Sequence, residues 1–305
     1  MIDNEAVDER KTWVNVRSVE FKVFDEMFSS GEFEIVGSVN GLVCFAPAPR
    51  CDSYNALPYY VCNPITKEYV ILPKSPKIKR RPICTGFGYD SSSNEYKVIR
   101  ILQTKHTFKA KAEVHTLGVK GWRQIPSVPH LFNGTPTKNV VLVNGSLHWL
   151  THEPTDALGI VSFVVRTEEC QVVPLPFSIK FQKNRRHTIH NFLAVSGECL
   201  CFIEYGSGVI SGFCEVWVMK EYGVEGSWVK EYMFRNNVMP RPYEGDCKLT
   251  KLRNGEFLLQ YEGKNIGYYN PVSETFKHIV LQNKQKSGYV QADIHVGSLF
   301  SPPKY

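Results

Sequence analysis

No stretch of this 305-residue sequence approaches the roughly 20 consecutive apolar residues that a membrane-spanning helix requires. The opening "MIDNEAVDERKT" is polar and acidic, where a secretory leader would be basic and then apolar. The expectation is a soluble intracellular protein, cytoplasmic, nuclear or both, with no membrane partner. Catalytic signatures are equally scarce. There is no GxSxG elbow, no HExxH and no Asp box of the sialidase type. "GSGVISG" (206 to 212) has the glycines of a phosphate loop but lacks the GxGxxG spacing, the following helix and a Lys-Ser/Thr pair.

The nine cysteines are odd in number, and Cys44, Cys62, Cys199, Cys201 and Cys214 fall in strand-like runs rather than at framework spacing. Reduced, buried thiols are expected. Cys199 and Cys201 share one strand face, but no second Cys or His pair stands at matching spacing, so no zinc site is expected. In "LHWLTHE", His148 and His152 could share a metal only on a helix; on a strand they stand about 13 Å apart. The flanking alternation reads as strand. No catalytic residue, metal or cofactor is therefore expected, and a hydrolase remains only as an alternative, because a ring of repeats can gather carboxylates from distant segments.

What the sequence has in quantity is one pattern. "VVLVNGSLHWL" (140 to 150) is an apolar run, an Asn-Gly pair and a second apolar run, the strongest local signal for a hairpin, because both turn residues accept positive φ. "SVNGLVCF", "SSNEYKVIRIL", "VSGECLCFIEY" and "LRNGEFLLQY" repeat it, with turns starting at Asn40, Asn94, Asn144, Ser196 and Asn254. A second hairpin follows each first one, clearest in "YYVCNPITKEYVILP" and "IGYYNPVSETFKHIVL", where Asn63-Pro64 and Asn270-Pro271 hold equivalent places. A beat of about 50 residues made of two hairpins indicates a β-propeller of four-stranded antiparallel blades. The fold expectation is all-β, with six blades, the last closed by strands at 17 to 25 and 290 to 300. Five blades is the alternative, and two stacked β-sandwiches the competing architecture. Interleaved aromatics such as Phe87, Tyr89, Trp149, Tyr268 and Phe276 are expected to pack between blades.

The ordered series "VGSVNGLVCF", "VCNPITKEYVILP", "GFGYDSSSNEYKVIRI", "VLVNGSLHWL" and "GSLFSP" resembles the F-box-associated, kelch-like propeller domain of plant F-box proteins. The resemblance implies a propeller over residues 31 to 305 that captures a protein target as the substrate-recognition part of an SCF-type cullin-RING ubiquitin ligase. The F-box that docks a Skp-type adaptor has no counterpart in residues 1 to 30, where "TWVNVRSVEFKVFDEMFSS" reads as strand and loop. Stable adaptor docking is not expected. A truncated product and a free-standing, adaptor-independent interaction domain are both compatible with that.

Strand polarity locates the candidate binding surface. The two tight turns of each unit lie at one end, so the long loops within and between units share the other. Those long loops carry sixteen Lys or Arg against five Asp or Glu in a chain of net charge +6, so the rest of the chain is acidic overall. The densest stretches are "KSPKIKRR" and "KFQKNRRH". Arg80, Arg81, Arg185 and Arg186 are the candidates for gripping an acidic or phosphorylated segment, because guanidinium forks match carboxylate and phosphate oxygens. His130, His152, Tyr205 and Tyr243 are secondary candidates on neighbouring loops. No nucleic-acid-binding motif accompanies the charge, so nucleic acid is not the expected partner.

Overall fold

The computed structural model describes residues 12–16, 33–48, 57–74, 82, 84–103, 110–125, 139–152, 158–180, 189–206, 213–235, 248–252, 254–261, 265–281 and 295–304. Among them the fold is a run of five four-stranded antiparallel meanders. Sheet one holds β2 (Phe33–Val39), β3 (Leu42–Pro47), β4 (Tyr60–Cys62) and β5 (Tyr69–Ile71). Sheet two holds β6 (Cys84–Asp90), β7 (Glu95–Gln103), β8 (Ala110–Thr116) and β9 (Arg123–Ile125). Sheet three holds β10 (Val141–Val143), β11 (Ser146–His152), β12 (Leu158–Val164) and β13 (Cys170–Val173). Sheet four holds β14 (Ile189–Ser196), β15 (Cys199–Gly206), β16 (Phe213–Met219) and β17 (Trp228–Arg235). Sheet five holds β18 (Lys248–Lys251), β19 (Phe257–Tyr261), β20 (Asn265–Asn270) and β21 (Thr275–Leu281).

The chain divides into two compact units. One contains sheets one to three and the C-terminal segment from Asp293. The other contains sheets four and five, preceded by residues 1 to 20. In the second unit, β14 meets β18 at a single parallel bridge, Val195 to Thr250, which joins the fourth and fifth meanders, with the N-terminal strand, into one nine-stranded sheet. An N-terminal strand, β1 (Thr12–Val16), joins the outer edge of β21 in parallel. That strand covers an edge that would otherwise present unpaired N–H and C=O groups.

The tight turns explain why the repeat is legible. Asn40 and Gly41 sit at φ 47 and 82, and Asn144 and Gly145 at 49 and 67, the left-handed pair that a two-residue hairpin of this twist demands. The second hairpins of sheets one, three and five share a single turn geometry built from different residues. Lys67, Glu168 and Glu274 hold the positive-φ place, at 65, 61 and 50. In the first two, the N–H of the positive-φ residue donates to the carbonyl four residues back, Lys67 to Asn63 and Glu168 to Val164. Asn63 and Asn270 brace their turns with the side chain: Asn63 Oδ1 accepts from Ile65 N at 2.8 Å, and Asn270 Oδ1 from Val272 N at 2.9 Å. Val164 lacks that acceptor, yet the turn forms.

Cores lie between consecutive sheets. Leu42, Cys44, Val61, Phe87 and Val98 pack between sheets one and two; Ile99, Ile101, Trp149, Val161 and Phe163 between two and three; Ile203, Val216, Phe234, Leu259 and Tyr269 between four and five. Burying one such large side chain contributes about 1.5–3 kcal/mol. Phe87, Trp149 and Phe276 are buried as the alternation requires, and Phe87 stacks on Tyr96. The seven described cysteines are free thiols, and burial pushes the thiols of Cys62, Cys84, Cys201 and Cys214 up to about 12.

The terminal strands expected for a sixth blade fare differently. Residues 17 to 25 and 290 to 294 lie outside the described residues. Residues 295 to 300 are described, and they pair with no strand. Their hydrogen-bonding groups are engaged by turns of sheet one, and Pro302 and Pro303 have no N–H to give a ladder.

Candidate functional site

Each sheet is a meander, so the first and third connections emerge at one end and the second, with the link to the next sheet, at the other. The turn end of sheets one and two is covered. Residues 295 to 304 cross it as a strap, held by side chains rather than by strand pairing. Asn63 Nδ2 donates to Ser298 O at 2.8 Å and to Phe300 O at 2.7 Å. Ser298 Oγ donates to Asn40 O at 3.1 Å, and Ser38 and His295 are joined at 3.1 Å. Phe300 lies 5.5 Å from the ring of Tyr96, and Ser301 Oγ donates to the Glu68 carboxylate. Gly41 is required beneath the strap. A Cβ there would stand 1.9 Å from Ser298 Oγ, and its φ of 82 already excludes ordinary side chains.

The opposite end is where the long connections leave the frame. Arg80, Arg81, Arg185, Arg186, His130 and Tyr243 lie outside the described residues. His152 is the last residue of β11, paired through its backbone with Leu158, which puts it at the long-loop end as expected. Tyr205 requires a correction. It also stands near the loop end, in β15, but it is 2 % exposed and packs into the core with Cys201 and Ile203. Those residues are two and four places earlier, on the same strand face, so the alternation that defines the strand turns Tyr205 inward. It is not a surface contact. In the unit of sheets one to three, Lys74 after β5 and Lys111 near the start of β8 are exposed; in the other unit Phe177, in the short helix Phe177–Lys180 after β13, is 68 % exposed. The aromatic in "PLPFSIK" is the local sequence signal for Phe177.

Charged groups inside the frame form structural pairs. Arg100 donates to Glu113 at 2.7 and 3.1 Å across β7 and β8, and its guanidinium lies 3.9 Å from the centre of the Trp122 ring. Lys97 bridges to Glu168 at 3.0 Å and donates to Val165 O, while Arg123 grips both oxygens of Glu168. Lys220 pairs with Glu231, and Lys251 bonds Tyr232 OH at 2.5 Å. The indoles repeat a latch: Trp122 Nε1 donates to Pro73 O at 2.6 Å, and Trp228 Nε1 to Pro174 O at 2.8 Å. Both tryptophans stand at the start of a fourth strand, and both prolines just after one.

His148 is fully buried, and burial pushes its pKa down to about 4 against the opposing effect of hydrogen bonds with the backbone of Val141 and Ser146. It is a packed strand histidine. Among the described residues no three His, Cys, Asp or Glu side chains gather as a metal set. What the described residues show is a repeat of four-stranded meanders, each with a tight-turn end and a long-connection end.

Sequence comparisons point the same way. The chain is 28% identical over 329 residues to F-box protein At3g07870 of Arabidopsis thaliana, covering 93% of this chain and 74% of that protein. It is 27% identical over 285 residues to F-box/kelch-repeat protein At3g23880 of the same plant, covering 91% and 71%. Among solved structures, YCF48 bound to D1 peptide aligns over 80% of this chain and 69% of that one, at 12% identity and a TM-score of 0.40. Residues 6–300 match the F-box associated beta propeller domain, and with its repeated four-stranded meanders and "NP" turns the chain belongs to that family.

Proposed function

We propose that this protein is a target-recognition module: its long loops capture a protein segment that is acidic or phosphorylated, for transfer of ubiquitin by a cullin-RING ligase. The observation that carries the choice of face is the C-terminal strap. It covers the turn end of sheets one and two, leaving the long-loop end of those sheets to meet a partner. The basic excess of the long loops supports the charge of the target, and the membership of F-box proteins among its relatives supports the ligase role.

Capture from plant extract tests the reading. Replacing Arg80, Arg81, Arg185 and Arg186 together with Ser should abolish target capture, and thermal unfolding of the variant checks that the fold survives. The control removes charge at the turn end, through Lys67→Asn, Lys120→Asn and Arg166→Asn, all exposed. Lys220 and Lys251 make poor controls because both are engaged with Glu231. Loss of the target in the control, with retention in the arginine variant, would reverse the face assignment. Scoring a Skp-type adaptor in the same capture separates the ligase reading from an adaptor-independent binder.

A further inference from the structure

We propose that Ser301 is a phosphoacceptor for a proline-directed protein kinase, and that its modification releases the C-terminal strap from the turn end of sheets one and two. The sequence around it is Phe300-Ser301-Pro302-Pro303-Lys304, a serine followed directly by proline with a basic residue at the third following place. Proline directly after the acceptor holds the chain extended, the form in which a kinase cleft reads it. Ser301 is exposed in the docked strap while Pro302 is buried, so a kinase reads the Ser-Pro pair when the strap lifts.

The surroundings of the hydroxyl turn phosphorylation into a switch. Ser301 Oγ donates its proton to the Glu68 carboxylate, and this bond is the main cause that holds the Glu68 pKa below its ordinary value. In the transfer, Ser301 Oγ attacks the γ-phosphorus of ATP. The new O–P bond forms as the bond to the bridging oxygen breaks, ADP leaves with that electron pair, and the hydroxyl proton passes to the kinase's base. The product has no proton to donate to Glu68, and it places a charge of about −1.5 to −2 beside a carboxylate. Lys304 is the cation that acts on Glu68, and Lys67 is its neighbour on the turn. Both are exposed, so solvent screens the attraction they could offer. What remains to hold the strap is Asn63, Ser298, the Ser38–His295 bond, the buried Pro302 and the ring of Phe300, itself 38% exposed. Release would uncover the Asn63 amide and the ring of Tyr96.

This inference stands independently of the ligase reading. The full chain is incubated with ATP and a proline-directed kinase, then followed by peptide mapping and hydrogen exchange. The expected result is one phosphate on Ser301, absent in S301A and strongly reduced in P302A. Amides of residues 295 to 301 and of Lys304 should exchange at least about tenfold faster after modification, the equivalent of one lost charge-assisted hydrogen bond. S301E should reproduce part of that acceleration, and S301A less. Labelling at other sites with none on Ser301 overturns the assignment. A phosphorylated strap that exchanges at the same rate or more slowly, with Lys304 and Lys67 capturing the phosphate, overturns the release.

Discussion

Asn63 and Ser298 stand 235 residues apart in the chain, and the side-chain amide of the first donates to the backbone carbonyl of the second. The same amide reaches Phe300 O, while its carbonyl oxygen accepts the turn amides of Ile65 and Thr66. One fully buried side chain thus shapes its own turn and holds the C-terminal segment.

Asn63→Ala should therefore cost about 2–4 kcal/mol, since it removes the bonds to two part-buried strap carbonyls and the bracing of its own turn. Asn270→Ala removes the same turn bracing, but the Asn270 amide reaches only the side chain of Glu256, at 3.3 Å, so a loss of about 1 kcal/mol is expected. Urea unfolding of both variants checks the difference. Equal losses would mean that the strap contributes nothing.

The Arg100–Glu113 pair makes a second test. Both side chains are nearly buried, at 10% and 3% exposure. Removing one partner leaves a charge in the interior, so Arg100→Met or Glu113→Gln should each cost about 3–5 kcal/mol. The double variant, measured in the same unfolding assay, should be less destabilised than the two single losses added together.

His148 gives the pH dependence a direction. Its folded pKa, about 4, lies below the ordinary value of 6.5, so the unfolded chain binds the proton first. Its contribution is fully present above pH 6.5 and is lost as pH falls toward 4. Between pH 7 and pH 4.5 the protein should lose about 2 kcal/mol that His148→Gln does not lose. Parallel stability-against-pH curves for the two proteins would refute the buried neutral imidazole.

Trp122→Phe keeps the ring that covers Arg100 but deletes the hydrogen bond to Pro73 O. A loss of about 1–2 kcal/mol is expected, with a similar loss for Trp228→Phe, if the repeated latch is worth the same in both places. Thermal unfolding of the two variants side by side is the measurement.

The sequence by itself determined the repeat. Asn-Gly pairs can be read without a structure because positive φ is a local demand, and strand alternation follows from a backbone period of two. That was enough for the all-β class, the meander and the polarity of its turns, and it would have been enough to turn Tyr205 inward beside Ile203 and Cys201. Tertiary structure alone decided what distant residues do to one another. Nothing local to Asn63 announces that its amide holds residues 298 and 300, and nothing in "GSLFSP" says that it lies over turns instead of pairing as a strand. Nothing in the local sequence of Arg100 says that the Trp122 ring lies over its guanidinium. Local rules fix φ, period and turn type; which side chain meets a carbonyl two hundred residues away is set by how sheets pack, and that is not written in any one segment.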